Sequence, residues 1–195
     1  AMSEVICITG GIGSGKSTVC RYLEQSGYPV YYSDIRAKAL MESDNQIQEQ
    51  LIALFGSKIY TGNKQLNRPE LAKRIFNNPD LKQSLEAIVH PHVHEDFVQW
   101  CNSQTSHLVF KESPLAVEID DKSCQILIVV NAEEELRISR VLARNPEWTR
   151  DDVQARIKNQ LSDKQRISLS HEILNNSGTT EALKKKVNQL LTKWS

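Results

Sequence analysis

Short apolar runs alternate with segments of helical periodicity along most of this chain. The apolar runs predict β-strands at residues 5–8, 28–32, 107–111, 126–131 and 173–174. Apolar residues at helical spacing predict helices at residues 15–25, 35–41, 46–55, 68–77, 79–90, 93–102, 133–144, 149–161 and 181–194. This alternation predicts the α/β class, with a parallel sheet wrapped by helices on both faces. We expect the third and fourth strands to flank the first.

A long, purely helical stretch interrupts this alternation. We interpret residues 46–104 as a helical insertion into one domain, residues 2–195. The core of that domain comprises residues 2–45, 105–145 and 165–195, and residues 145–164 form a lid-like second insertion. A chain of 195 residues suits one α/β unit with small insertions better than two large domains.

The net charge bears on which partners the protein binds, and the cysteine pattern bears on its cellular compartment. Lys and Arg number 24, as do Asp and Glu, so the formal net charge is zero. This balance argues against a nucleic-acid or membrane binder that relies on bulk charge, and no apolar run is long enough to span a membrane. The four cysteines include no C-x-x-C pair, which predicts four reduced thiols in a cytoplasmic protein.

A glycine-rich segment lies between the first predicted strand and the first predicted helix. Residues 10–17 fit the phosphate-binding pattern G-x-x-x-x-G-K-[ST], and we call residues 10–18 the P-loop. Glycines carry no Cβ, so the backbone can curl tightly and bring its N–H groups close to phosphates. The N-terminus of the following helix adds a positive end. The segment predicts a nucleoside triphosphate site; the alternative is a glycine-rich turn that binds nothing.

Side chains at the end of the P-loop complete the predicted nucleotide site. Lys16 would reach the β- and γ-phosphates, and the Ser17 hydroxyl would coordinate Mg²⁺. The nucleotide-binding residues that we predict are Gly11, Gly13, Ser14, Gly15, Lys16, Ser17 and Thr18.

Asp34 follows the second predicted strand. In a wound α/β sheet, ligands bind outside the carboxyl ends of the strands, so this carboxylate is placed to meet a substrate hydroxyl. It could orient that hydroxyl and accept its proton during phosphoryl transfer. The alternative is that Asp34 only caps the next helix.

Three arginines share one face of the helix predicted at 133–144. Arg137, Arg140 and Arg144 are spaced at i, i+3 and i+7. Guanidinium groups in a water-poor site stabilise the charge of a transferring phosphoryl group, and we assign this role to Arg140 and Arg144. The alternative is a solvated basic face paired with Glu133–Glu135.

Two further groups could bind a metal. Glu112, after the strand at 107–111, could hold Mg²⁺ through water, or it is an ordinary surface residue. The run His90-Pro-His-Val-His94 could also ligate a metal, but no Cys or acidic cluster completes such a site.

Several motifs follow the P-loop in a fixed order. Asp34 stands in Tyr-Ser-Asp-Ile-Arg-Ala-Lys, and later matches are Leu66, Arg68, Leu71, Lys73, Phe76, His90-Pro91, Pro114-Leu115, Glu118, Arg140, Arg144, Arg156-Ile157, Gln160, Ile173, Asn175 or Asn176, and Gly178. Together with the P-loop, this series resembles the dephospho-CoA kinase family over nearly the whole chain. Two positions depart from the family pattern, because Tyr32 replaces an Asp and Ala116 replaces a Leu.

The resemblance implies transfer of the γ-phosphate of ATP to the ribose 3′-hydroxyl of dephospho-CoA, the last step of coenzyme A biosynthesis. It implies ATP as co-substrate with Mg²⁺, dephospho-CoA as acceptor, and a monomer or small homo-oligomer. In the family the helical part helps to receive the CoA moiety. The acceptor-binding residues it implies here are Arg68, His90, Pro114 and Arg156.

Two other functions are compatible with a P-loop. One is a different small kinase, acting on a nucleotide or metabolite. The other is a nucleotide switch with slow hydrolysis. Against the switch, Asn63-Lys64-Gln65-Leu66 lacks the Asp of the guanine-specifying N-K-x-D motif.

Overall fold

All strands of the computed structural model, which describes residues 3–194, join in one parallel sheet. The strands are β1 (Glu4–Thr9), β2 (Val30–Tyr32), β3 (Leu108–Glu112), β4 (Ile126–Asn131) and β5 (Glu172–Asn175). Their order is β2-β3-β1-β4-β5, and every neighbouring pair is parallel. The prediction that the third and fourth strands flank the first is therefore confirmed.

The helices largely follow the predicted positions. They are α1 (Lys16–Gln25), α2 (Ser33–Ser43), α3 (Asn45–Phe55), α4 (Arg68–Ile75), α5 (Pro79–Asn102), α6 (Glu134–Arg144), α7 (Arg150–Asn159), α8 (Asp163–Ser168) and α9 (Thr180–Trp194), with a 3₁₀ turn at Ser57–Ile59. Helix α8 was not predicted. Within residues 3–194, no helix is both long and apolar enough to cross a membrane.

Helix α5 corrects the prediction of two helices separated at His90-Pro91. The helix continues through Pro91. Proline removes one backbone hydrogen bond, which favours a break. Here Val89, Val93 and Phe97 lie four residues apart and are all buried, so one continuous apolar face supports the helix on both sides of the proline.

The described chain divides into two compact units. The sheet unit runs up to Tyr32 and resumes at Gln104, and the helical unit is Ser33–Ser103. The helical unit contains α2 to α5, and its buried residues include Ile47, Leu51 and Phe55 of α3. The predicted single domain and its lid at 145–164 stay predictions, and the predicted domain ends, Met2 and Ser195, lie outside the described residues.

The sheet unit has its main apolar core between the sheet and helices α1 and α9. Alternate strand residues point into this core, such as Ile6 and Ile8 of β1. Val19 of α1 and Leu183 of α9 pack against them. The opposite sheet face is buried as well, because Cys7 and Val129 have relative exposures of 1% or less. Burial on both faces accounts for the continuous apolar runs of β1 and β4.

A disulfide and an ion pair tie the segment after β3 to the second face of the sheet. Cys7 and Cys124 form a disulfide, so the prediction of four reduced thiols is wrong for this pair. Spacing could not reveal the pair, since 117 residues separate the two cysteines. Lys111 of β3 contacts the Asp121 carboxylate at 2.7 Å, and each of the two side chains is only 5% exposed.

Breaking the Lys111–Asp121 ion pair should destabilise the fold strongly. Asp121→Asn removes the carboxylate beside a buried ammonium, and removing one partner of a buried pair costs about 3–5 kcal/mol. We expect this loss in the free energy of unfolding, measured by urea denaturation at pH 7. The matched control is Asp120→Asn, because the neighbouring Asp120–Lys122 pair is about 80% exposed and such pairs contribute little.

The stability that the Lys111–Asp121 ion pair contributes depends on pH. Burial alone would raise the pKa of Asp121, but hydrogen bonds from Lys111 and Ser123 outweigh it and the pKa is lowered. A lowered folded-state pKa adds stability above the pKa of the unfolded carboxyl, about 4, and that stability is lost as the pH falls further. The advantage of wild type over Asp121→Asn should therefore shrink below about pH 4. An advantage that does not depend on pH would contradict this account.

Candidate active site

The P-loop connects the end of β1 at Thr9 to the start of α1 at Lys16. Its backbone turns through left-handed conformations at Gly13, with φ +78°, and at Gly15, with φ +103°. A Cβ on Gly15 would lie 2.2 Å from Nδ2 of Asn176, so the position needs glycine for its conformation and for its space.

Lys16 folds back over the loop that precedes it. Its Nζ donates to the carbonyl oxygens of Gly10 at 2.7 Å and Gly11 at 3.3 Å. The ammonium therefore lies beside the first glycines of the P-loop, where it can meet the β- and γ-phosphates of a bound nucleotide.

Side chains from α6 and from the loop after β5 hold the middle of the P-loop. Arg140 Nη1 donates to the Gly13 oxygen at 3.3 Å, and Asn176 Nδ2 donates to the Ser14 oxygen at 2.9 Å. Arg140 Nη2 also donates to the Asn176 oxygen at 2.6 Å, which joins the two supports. Since the N–H of a peptide points away from its C=O, carbonyls turned toward these side chains leave amides facing the other side of the loop.

Two further side chains hold the backbone of the P-loop at Ile12. Arg137 Nε donates to the Ile12 oxygen at 2.9 Å, and the Ile12 amide donates to Gln160 Oε1 at 3.0 Å. Arg137 is only 2% exposed, and its Nη1 contacts Asp163 at 2.6 Å. The sequence after α7, which includes Gln160 and Asp163, is thereby bonded to the P-loop.

The arginine face of α6 is divided between two environments. Arg137 and Arg140 point at the P-loop, so they are not part of a solvated basic face, and burial lowers the pKa of Arg140. Arg144 is exposed. The pairing with Glu133–Glu135 that we considered is made by Arg150 of α7, which contacts Glu135.

A groove of about 240 Å³ opens beside the P-loop within the sheet unit. Its walls come from the P-loop, from the α6 arginines and from the segment that joins β5 to α9. The lining residues are Gly13, Gly15, Thr18, Arg140, Arg144, Asn176, Gly178, Thr180 and Leu183.

The carboxyl end of β3 lies next to the start of the P-loop. Glu112 is in register with Ile8 of β1, two residues before the P-loop begins. Thr9 is fully buried, and its hydroxyl donates to the Pro114 oxygen at 3.2 Å. The sheet therefore brings two predicted site residues, Glu112 and Pro114, to the P-loop end of β1.

Three predicted acceptor-side residues belong to the helical unit. Asp34 is exposed and is the second residue of α2, so it is not the residue preceding that helix, as an N-cap would be. Arg68 begins α4 and lies 3.8 Å from Glu42, and His90 is half-buried on α5. His92, its neighbour on α5, lies 3.8 Å from Asp44, so the histidine run has one carboxylate close by.

The fourth predicted acceptor residue, Arg156, lies on α7. Its guanidinium stacks over the ring of Trp148 at 3.7 Å, and its Nη1 donates to the Asp152 oxygen at 3.3 Å. Trp148 in turn packs against the small apolar cluster of Ile138, Val141 and Val153.

Comparison with known proteins decides the family of this chain. A family model for dephospho-CoA kinase matches residues 4–182. The chain belongs to the dephospho-CoA kinase family. A curated dephospho-CoA kinase from Chlorobium chlorochromatii is 34% identical, and the match covers 95% of this chain and 91% of that relative. The reaction class is therefore that of a kinase, as predicted.

Solved structures confirm the fold. TT1252 from Thermus thermophilus is 32% identical, and the match covers 100% of both chains with a TM-score of 0.87. A dephospho-CoA kinase from Campylobacter jejuni, 20% identical, matches with a TM-score of 0.70 over 100% of this chain and 98% of its own. The predicted P-loop kinase architecture, a parallel sheet flanked by helices, is confirmed.

Both departures from the dephospho-CoA kinase pattern are accommodated inside the sheet unit. The Tyr32 hydroxyl donates to Glu24 of α1, and burial together with this hydrogen bond raises the pKa of Tyr32. Ala116 is 5% exposed, in the segment after β3 that covers the sheet.

Sequence reasoning missed some of the residues that support the P-loop. Gln160 and Asn176 were matched only to family patterns, and Arg137 was given no role. One signal was available for Asn176, because polar residues at the carboxyl end of a parallel strand tend to face the ligand. No sequence signal placed Arg137 against Ile12, since 125 residues separate them.

Proposed function

We infer that this chain transfers the γ-phosphate of ATP to the ribose 3′-hydroxyl of dephospho-CoA, giving CoA and ADP, the last step of coenzyme A biosynthesis. The observation that carries this inference is the match to the dephospho-CoA kinase family over residues 4–182. The supported P-loop provides the chemistry that such a donor site requires.

On the donor side, the P-loop backbone and Lys16 hold the triphosphate. Lys16 contacts the carbonyls of Gly10 and Gly11, so a short movement of its ammonium brings it onto phosphate oxygens. The groove beside the loop takes the nucleoside part of ATP. The remaining nucleotide contacts are those that we predicted from the sequence, at Gly11, Gly13, Ser14, Gly15, Ser17 and Thr18.

The residues around the P-loop suit Mg²⁺, which prefers oxygen ligands. Ser17 is exposed as the second residue of α1 and offers a hydroxyl. Glu112 offers a carboxylate at the end of the strand that pairs with β1, and it would act through water. When bound, the ion neutralises charge on the β- and γ-phosphates.

On the acceptor side, Asp34 orients the ribose hydroxyl and accepts its proton. Its support is its match to the family's aspartate and its exposed position on α2, directly after β2. Arg68, His90, Pro114 and Arg156 contribute contacts to the CoA moiety.

Arg140 and Arg144 stabilise the charge of the transferring phosphoryl group. Arg140 donates to the loop carbonyl of Gly13, so it must turn from this carbonyl to reach the phosphoryl group, and its partial desolvation would strengthen that interaction. Arg144 is exposed on the same groove and is available to the nucleotide.

An acceptor panel tests this function. With ATP and Mg²⁺, coupled ADP release should be at least about 100-fold faster with dephospho-CoA than with AMP, CMP or shikimate, because only the matching acceptor uses the acceptor-side contacts. Equal rates with all acceptors, or none above the rate without acceptor, would contradict the proposal. Faster turnover of another acceptor would favour a different small kinase.

A cytoplasmic location stays part of the proposal, supported by the reaction's need for ATP. The cysteine argument for that location fails at the Cys7–Cys124 disulfide. Fractionation of the source cells decides the location.

A further inference from the structure

One buried arginine beside the P-loop has most of its hydrogen-bonding capacity unused. Arg166 of α8 is 1% exposed, and its Nη1 donates to Asp163 at 3.2 Å. Its Nε and Nη2 are buried and have no hydrogen-bond partner in the part of the chain that the structure describes. A guanidinium carries five N–H donors, and buried donors are almost always paired in folded proteins.

Arg166 shares its contacting carboxylate with a second buried arginine. The Asp163 carboxylate is shared, since its other oxygen contacts Arg137 Nη1 at 2.6 Å. Glu118 attracts Arg166 and Arg137 repels it, while burial is the main cause that lowers the pKa of Arg166. Two buried guanidinium groups thus share one contacting carboxylate, which leaves donors of Arg166 available to an added anion.

The Arg166 guanidinium lies beside Gly11 of the P-loop. A Cβ built on Gly11 would lie 3.2 Å from Arg166 Nη1. The Lys16 ammonium donates to the carbonyl of the same Gly11 at 3.3 Å. Arg166 and the lysine that meets the β- and γ-phosphates in P-loop proteins therefore both lie beside Gly11.

We propose that Arg166 binds the γ-phosphate of ATP and stabilises its charge during transfer. The proposal rests on ATP binding at the P-loop and adds a residue to the Lys16, Arg140 and Arg144 set. Asp163, whose side chain is 35% exposed, holds the Arg166 guanidinium. On ATP binding, the guanidinium turns from Asp163 to the phosphate and gives it the donors at Nε and Nη2. Such charge-assisted bonds are short and strong in a site shielded from water.

The test compares two nucleotides that differ in the γ-phosphate. Calorimetry on the full chain with Mg²⁺ would measure the affinities for ADP and for the non-hydrolysable β,γ-imido analogue of ATP. In Arg166→Met, the affinity for the ATP analogue should fall about 10- to 100-fold, the value of hydrogen bonds to a charged group, while the ADP affinity stays within about twofold. The kcat with dephospho-CoA should fall by about 10²-fold.

A matched control is available on the same helix. Lys164 of α8 is exposed and carries the same charge, so Lys164→Met should leave both affinities and kcat unchanged. If Arg166 were only structural, Arg166→Met would lower the melting temperature without changing the ratio of the two affinities, and that result would overturn the proposal.

A second variant covers failure of the first to fold. Arg166→Lys keeps the charge but offers fewer donors in a different geometry, so its ATP-to-ADP affinity ratio should fall below that of wild type. An unchanged ratio in Arg166→Lys overturns the proposal. If wild type itself bound neither nucleotide, this proposal and the donor half of the proposed function would both fail. If both variants kept the wild-type preference for the ATP analogue over ADP, only the role of Arg166 would be overturned.

Discussion

Asp34→Asn should lower kcat with dephospho-CoA by about 10²- to 10⁴-fold, the usual contribution of a general base. An asparagine still fills the same space and can still hydrogen-bond the ribose hydroxyl, but it cannot take its proton. ATP binding should change little, since the P-loop and its supports belong to the sheet unit and Asp34 to the helical unit. Steady-state kinetics with both substrates, together with calorimetry for ATP, measure the two effects.

Asp80→Asn is the matched control for this variant. Asp80 is also an exposed aspartate in the first turn of a helix of the helical unit. Its replacement removes the same favourable interaction with a helix N-terminus without touching the acceptor side. Near wild-type kcat in Asp34→Asn would remove Asp34 as the base, and an equal loss in Asp80→Asn would attribute the effect to helix stability.

Gly15→Ala should weaken ATP binding by about 100-fold, the size of effect that a misplacement of about 1 Å can produce at a site. The residue has φ +103°, where an L side chain is strained. Its Cβ would also lie 2.2 Å from the Asn176 amide nitrogen that donates to the Ser14 oxygen. Either the Asn176 amide loses its hydrogen bond to the Ser14 oxygen, or the backbone shifts and displaces Lys16. Both changes disturb the phosphate site. Calorimetric titration with ATP measures the loss.

Gly27→Ala separates the clash from the strain. Gly27 has a similar φ of +91°, but within residues 3–194 a Cβ there would meet no atom within 4 Å beyond its two chain neighbours. We expect a modest loss of stability, about 1–2 kcal/mol, with ATP affinity unchanged. If the two variants bound ATP equally well, the contact between Gly15 and Asn176 would not support the nucleotide site.

The local elements of this protein could be predicted because each is encoded by adjacent residues. Apolar runs such as Ile126–Asn131 indicate strands that are buried on both faces, and the P-loop pattern lies within eight consecutive positions, Gly10 to Ser17. The errors arose where distant packing decided the outcome. Pro91 signals a helix end locally, but the buried face of α5 keeps the helix continuous.

The chain by itself predicted a triphosphate site after β1 and a parallel sheet, and it made Asp34 and the α6 arginines candidates for chemistry. Each of these follows from short-range spacing and from residue type. Only the tertiary structure decided that Arg137, Arg140, Gln160 and Asn176 support the P-loop from outside, that Cys7 bonds Cys124, and that Arg166 is buried at Gly11. These contacts join residues more than 100 positions apart, and their partners are chosen by how the strands and helices pack, which no local pattern specifies.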